Sequence, residues 1–228
     1  IEVIRGPMSS LYGSEAMGGV INIITRAAPQ EWSGSFAANH TLSMNEVSNN
    51  AYSTDFYLGG ALIKDVLGLE LTGSLLHTDE SKFSGGGDSA ASRPNSDTTR
   101  FGSKLNWSVN EQNRLSLSYD KSKIDFIHTP GKSIEVDATG SEYEFEKEVY
   151  SFSHLGSYGN LTTNTYLQQD LSERVQIKDK KEEIITFNTS ATYIGEKNIY
   201  TLGARYKTEE LVDETNGLLS ANVATAKD

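Results

Sequence analysis

The sequence predicts an all-β protein: one wall of a transmembrane antiparallel β-barrel, entered from a small β-block. Three observations carry this. From Trp32 onward, apolar and polar residues alternate with period two. Most alternating segments are longer than ten residues. The connections between them run short and long in turn. Period two sends successive side chains to opposite faces of a strand, and no useful length of chain has a helical period. A soluble β-sandwich would alternate too, because an antiparallel sheet can keep one wet face. Its strands are typically about 5–6 residues long. Here they are longer, and their polar faces carry Arg, Lys, Asp and Asn in mid-strand, as the wall of a water-filled lumen does.

The chain opens with IEVIRGPMSSLYGSEAMGGVINIITR, Ile1 to Arg26. Ile1 to Ile4 is a short β-type run. Arg5 to Gly19 is rich in turn formers and small residues. Val20 to Thr25 is strongly β-branched and apolar apart from Asn22 and Thr25, the pattern of a strand buried on both faces. Nine alternating strands follow, at about 33–44, 51–62, 66–78, 98–109, 113–125, 146–158, 161–175, 183–194 and 199–211. In the fourth, Phe101, Leu105, Trp107 and Val109 oppose Arg100, Lys104, Asn106 and Ser108. In the ninth, Tyr200, Leu202, Ala204 and Tyr206 oppose Thr201, Gly203, Arg205 and Lys207.

The connections are intermediate around Asn45 to Asn50, tight at Ile63-Lys64-Asp65, long from Asp79 to Asp97, and tight at Asn110-Glu111-Gln112. They continue long from Phe126 to Phe145, tight at Gly159-Asn160, intermediate from Gln176 to Glu182, and tight from Gly195 to Asn198. Val212 onward reads as a further polar stretch. Short turns below and large loops outside are the plan of an outer-membrane barrel.

Composition narrows the function. The 228 residues are 36% hydrophobic, with 11 Tyr, 20 Gly and no Cys. Thiol chemistry, Cys-ligated metals and a disulfide framework are excluded. A formal net charge of −11 argues against nucleic acid, which needs a concentrated basic face. No apolar run approaches the ~18 residues of a membrane-spanning helix, which leaves a β-barrel open. There is no signal peptide, no initiator Met, and the chain starts in mid-strand, so a fragment is expected. Nine strands leave two open edges, forbidden in lipid, so further strands are expected after Asp228.

The opening stretch closely resembles the end of the plug domain of TonB-dependent outer-membrane receptors. The resemblance rests on Arg5-Gly6-Pro7, Tyr12-Gly13 and Ala16 to Thr25, matching an RGP, YG and A-x-GGV-x-N-I-x-T pattern. Gly60-Ala61-Leu62-Ile63 and Val66 to Leu75 resemble the early hairpin of the catecholate siderophore and colicin I receptor branch. Beyond about residue 80 the chain has barrel character without a diagnostic motif. The resemblance implies two parts: residues 1–28 as the end of a plug domain, and 29–228 as the N-terminal part of the barrel. This gives about nine strands of the roughly 22 in a plugged transporter. It implies TonB-energised uptake of ferric siderophores, catecholate type favoured, with cobalamin or haem as other cargo. Other implied partners are TonB (whose recognition box lies outside this chain), outer-membrane lipid, and colicins or phage. Iron would be carried only as a siderophore complex, with no resident cofactor. A passive porin or a soluble β-rich adhesin is the rival of another class, and no enzymatic constellation stands out.

Candidate functional residues follow from both readings. The resemblance implies that Arg5 forms ion pairs with barrel-wall carboxylates outside this chain. A buried charge needs such a partner; a solvated turn Arg is the alternative. Gly6, Gly13, Gly18 and Gly19 suit positive φ and close backbone approach. Pro7 fixes the turn after the first strand, and Tyr12 packs plug against wall. The Gly13–Gly18 spacing mimics a phosphate loop, but Gly19-Val20 replaces its Lys-Ser/Thr. Of His40, His77, His128 and His154, only His128, in a long loop, is a ligand candidate. Arg93, Arg100 and Lys132 are candidates for attracting anionic cargo. Ser133 to Glu148 holds Glu135, Asp137, Glu142, Glu144, Glu146 and Glu148 against Lys147. As an acidic loop it would repel such cargo. Trp32, Tyr52, Phe56, Tyr119, Tyr150, Phe152, Tyr158, Tyr193, Tyr200 and Tyr206 read as interfacial girdles near strand ends.

Overall fold

The computed structural model describes residues 2–5, 19–22, 30–45, 49–82, 92–175, 180–213 and 222–227, the first two and the last of these as backbone alone. Strands β1 (Glu2–Arg5) and β2 (Gly19–Asn22) form a two-stranded antiparallel sheet, from Glu2↔Asn22 to Arg5↔Gly19. Gly6, Pro7, Tyr12, Gly13 and Gly18 lie outside the described residues, as do the side chains of Arg5 and of the Val20–Thr25 run.

The rest is one ten-stranded antiparallel sheet in which every strand pairs with the next in sequence. Its strands are β3 (Ser33–Thr41), β4 (Ala51–Ile63), β5 (Leu67–Thr78), β6 (Asn95–Ser108) and β7 (Asn113–His128), then β8 (Ser141–Tyr158), β9 (Leu161–Val175), β10 (Lys180–Ile194), β11 (Ile199–Asp213) and β12 (Asn222–Lys227). All nine expected strands are present. Three features differ from expectation. The first strand stops at Thr41. The fifth connection shrinks to 129–140, because β7 and β8 run on through segments read as loop. A tenth strand, β12, occupies part of the stretch read as polar tail.

Tight connections 64–66, 109–112, 159–160 and 195–198 lie at one end, and 42–50, 79–94 and 129–140 at the other. Gly159, at φ 64°, supplies the left-handed backbone that a two-residue hairpin needs at its first position. β3 and β12 are the free edges of the sheet. An open sheet edge is not viable in hydrocarbon.

Register assigns each side chain of β3 to β11 to a face, because directly paired residues point the same way. One face carries the row Leu105↔Leu117↔Phe152↔Leu167↔Phe187↔Tyr206. These apolar side chains are largely open to the surroundings, with Leu117 53% exposed. Among the described residues the one buried hydrophobic side chain is Ile134. A broad apolar face with no core beneath it is the surface of a lipid-facing wall. The opposite face pairs Glu70 with Asn106, Asn106 with Ser116, Ser118 with Ser151 and Lys147 with Asp170. It is a hydrogen-bonded lumen surface.

All nine of the aromatic candidates that lie in strands share the lipid-facing side. Trp107, Tyr158, Tyr193 and Tyr200 mark its turn end. Tyr52, stacked 4.8 Å from His77, and Tyr119, 5.0 Å from Tyr150, mark its loop side. Phe56, Phe152 and Tyr206 are corrected to mid-strand positions inside the apolar band. The row from Phe56 runs through Gly73 and Phe101 to Lys121 and Glu148. A single row leaves the apolar band because strands tilt across it, as barrel geometry requires.

Gly102 shows how tightly the lumen face is fitted. It lies in register between Thr72 and Asp120. A Cβ there would come within 2.6 Å of Thr72 Oγ1 and 2.7 Å of Asp120 Oδ1. Gly102→Ala is therefore expected to destabilise the barrel by about 1 kcal/mol through overpacking. The check is a lower urea midpoint at unchanged slope; an unchanged midpoint contradicts it.

Candidate functional site

Beyond the two girdles, toward the loop end, the polarity of the wall inverts. On β7, Leu115, Leu117 and Tyr119 face lipid, but the next residues on that side are Lys121, Lys123 and Asp125. Ile124 and Phe126 face the lumen instead. On β8, Glu144, Glu146 and Glu148 point outward while Tyr143, Phe145 and Lys147 point inward. Lys121 Nζ bonds Glu148 Oε1 at 2.9 Å, and Lys123 Nζ bonds Glu144 Oε2 at 2.7 Å. Water outside and a built surface inside account for this pattern. It revises the reading of Ser133–Glu148 as one acidic loop. From Ser141 it is strand, and alternation turns its later carboxylates away from the lumen.

The inward surface is a cation–aromatic shelf. Arg174 on β9 lies opposite Phe145 in register. Its guanidinium carbon is 5.4 Å from the Tyr143 ring centre and 5.4 Å from that of Phe145. Phe126 meets Phe145 edge-on at 6.1 Å. Arg174 Nε is buried with no hydrogen-bond partner among the described residues. Lys180 is Arg174's partner on β10 and reaches Asp213 at 2.9 Å. A hollow of about 420 Å³ opens there, lined by Ile124, Phe145, Lys147, Arg174 and Lys180 among others. A planar cation resting on two rings is complementary to flat anionic groups, through stacking and charge-assisted hydrogen bonds.

Above the shelf the loops are tied together. Lys132 N–H donates to Thr129 O at 3.0 Å, with Pro130 and Gly131 (φ 78°) between them, a type II turn. That turn seats Ser133, which is fully buried. Ser133 Oγ and the Thr129 N–H both donate to Glu80 Oε1 at 2.5 Å. The Glu80 side chain is 5% exposed, with Lys132 Nζ 3.8 Å away.

The decisive comparison is with known proteins. No family model matches the chain. It is 31% identical over 227 residues to the iron-regulated outer membrane virulence protein of Vibrio cholerae serotype O1, covering 97% of this chain and 34% of the relative. It is 33% identical over 143 residues to the protein of Acinetobacter baumannii named Probable TonB-dependent siderophore receptor PirA, covering 60% of this chain and 19% of that one. Its fold matches the crystal structure of a ferric enterobactin receptor variant (PfeA) from Pseudomonas aeruginosa in complex with enterobactin. The TM-score is 0.83 at 18% identity, over 99% of this chain and 40% of that chain. The chain belongs to the TonB-dependent outer-membrane receptors. It spans about a third of the length of the Vibrio relative.

In a TonB-dependent receptor the turn end of the wall is periplasmic and the loop end faces outside. The predicted ligand residues do not converge there. His128 Nδ1 is held by Ser133 Oγ at 3.0 Å, and Lys132 leans on Glu80. Both serve the loop tie. Arg93 is exposed, its backbone N–H bonded to Ser81 Oγ at 2.9 Å. Arg100 is exposed lower on the lumen wall, beside a separate hollow of about 440 Å³ that Asp55, Asp120 and Lys147 also line. The sequence hides the shelf because Tyr143 and Phe145 lie in what reads as an acidic loop. The phase flip between Tyr119 and Ile124 is the signal that locates it.

Glu80 has a pH consequence. Burial pushes its carboxyl upward, but the donors Ser133 and Thr129 outweigh this and hold it below the usual glutamate range. A depressed folded-state pKa contributes stability above the unfolded pKa and loses it only as pH falls through the folded one. Amide protection of 129–140 in the intact receptor is therefore expected to survive mild acid and collapse below the ordinary Glu range. Collapse at or above that range contradicts the assignment.

Proposed function

We propose that the receptor containing this chain takes up ferric siderophores, of catecholate type, by TonB-energised transport. The observation that carries the catecholate reading is the shelf. Arg174 over Tyr143 and Phe145 presents a flat cation and ring edges to the outer mouth, matching ligands whose iron is wrapped in anionic aromatic rings. Two relatives support the siderophore reading by name: a probable siderophore receptor and a ferric enterobactin receptor. External loops and shelf capture the complex. TonB, driven by the proton-motive force, remodels the plug and opens a path along the polar lumen wall. No covalent chemistry is required of this chain.

The test is growth of a gene-deletion strain under iron limitation, supplied in turn with tris-catecholate, hydroxamate and haem iron, with cobalamin uptake measured alongside. Selective loss of tris-catecholate use is expected. Unchanged use of every iron chelate and of cobalamin sinks the proposal, and selective loss of cobalamin uptake or haem use replaces the cargo.

A further inference from the structure

The tripeptide Asp79-Glu80-Ser81 joins three external loops. Asp79 N–H donates to Asn50 O at 2.9 Å, Asn50 Nδ2 donates to Asp79 Oδ2 at 3.1 Å, and Asn49 Nδ2 donates to Asp79 O. These bonds hold connection 42–50. Glu80 holds connection 129–140 through Thr129 and Ser133. Ser81 closes its own connection, 79–94: its N–H donates to Arg93 O at 3.1 Å, and Arg93 N–H returns to Ser81 Oγ. Ser92 N–H then donates to Ser133 O at 2.8 Å, tying the second loop to the third again.

Burial singles out the same place. Among the described residues other than glycine, the buried ones are Asn49, Ser81, Thr98, Ser133, Ile134 and Thr186. Four of these six sit at this junction, which makes it the most buried spot in an otherwise open wall. Segments that open locally are those with few buried contacts and solvated backbone hydrogen bonds. This junction has the opposite character. It also sits directly over the shelf, since Phe126 is two residues before His128 on the same face of β7.

We propose that residues 49–50, 79–82, 92–94 and 129–140 of the outer rim form a fixed wall, latched at Asp79-Glu80-Ser81, which holds the shelf in shape and does not open or close during capture. Any closure over a ligand is then carried by the rest of the mouth. The inference takes from the proposed function only that these loops face outside; the identity of the cargo is not used.

Two measurements on the intact receptor test it. Hydrogen exchange should show amides of 129–140 exchanging roughly tenfold or more faster in Glu80→Ala, with β7 and β8 unchanged and Glu80→Gln intermediate. Exchange in 129–140 that is the same in Glu80→Ala and wild type overturns the latch. A Ser92→Cys/Ser133→Cys pair, placed where the backbones already bond in a chain with no cysteine of its own, should when oxidised leave uptake of whatever cargo the receptor carries within about twofold of the same variant reduced, a comparison that cancels the loss of the Ser133 hydroxyl bond to Glu80. Uptake blocked by oxidation and restored by reductant means the loops must part, and overturns the fixed rim. A failure of cargo assignment would leave both readouts untouched.

Discussion

Leu117→Arg is expected to lower the stability of the intact receptor in bilayers by about 2–4 kcal/mol, while Ser118→Arg, one residue along, costs about 1 kcal/mol at most. The two positions have the same backbone and opposite solvents. Leu117 sits deep in the apolar band, flanked in register by Leu105 and Phe152. An Arg there must desolvate or snorkel a long way to either interface. Ser118 faces the lumen and bonds Ser151 Oγ at 2.6 Å. Its replacement loses that bond but leaves the new charge in a polar channel. Equilibrium unfolding in lipid vesicles provides the comparison. Equal costs, or a greater cost at Ser118, would reverse the face assignment.

Arg174→Ala is expected to weaken binding of a ferric tris-catecholate by roughly 30-fold, which is about 2 kcal/mol. The estimate combines a desolvated cation–ring contact of up to ~2 kcal/mol with charge-assisted hydrogen bonds of about 1.5–3 kcal/mol, discounted because the pair is not additive. Arg174→Lys keeps the charge but loses the planar fork, and should fall between. Removing Arg174 leaves no buried charge unpaired, since Phe145 and Tyr143 are its neutral partners. The barrel should therefore fold normally. Titration of the purified intact receptor measures the effect. Wild-type affinity in Arg174→Ala would move the cargo contact elsewhere.

The sheet was legible from the sequence because lipid and lumen impose opposite solvents on alternate residues. That holds for Phe101 to Trp107 and for Tyr200 to Tyr206. It fails where the wall leaves the membrane. Between Tyr119 and Ile124, and between Phe145 and Tyr150, the apolar residues change face, and a period-two reading ends there. Those are the places where β7 and β8 outrun their alternating segments and where the shelf is hidden. β12, Asn-Val-Ala-Thr-Ala-Lys, has too few large apolar residues to register as a strand. The loop latch had no sequence signal at all. Glu80, Ser81 and Ser133 are ordinary loop residues until the fold brings them together across 53 positions of chain. Arg5 and the plug-like glycines were legible only through a resemblance, which implies docking to wall residues without locating them.

The most direct test of the account is the solvent accessibility of single labels placed along 115–120 of β7 in the intact receptor in bilayers. Spin labels at 115, 117 and 119 should be reached by oxygen dissolved in the lipid, and those at 116, 118 and 120 by a water-soluble relaxation agent, in strict alternation. Uniform access to the aqueous agent at all six positions, or the opposite phase, would contradict a lipid-facing wall built on this register.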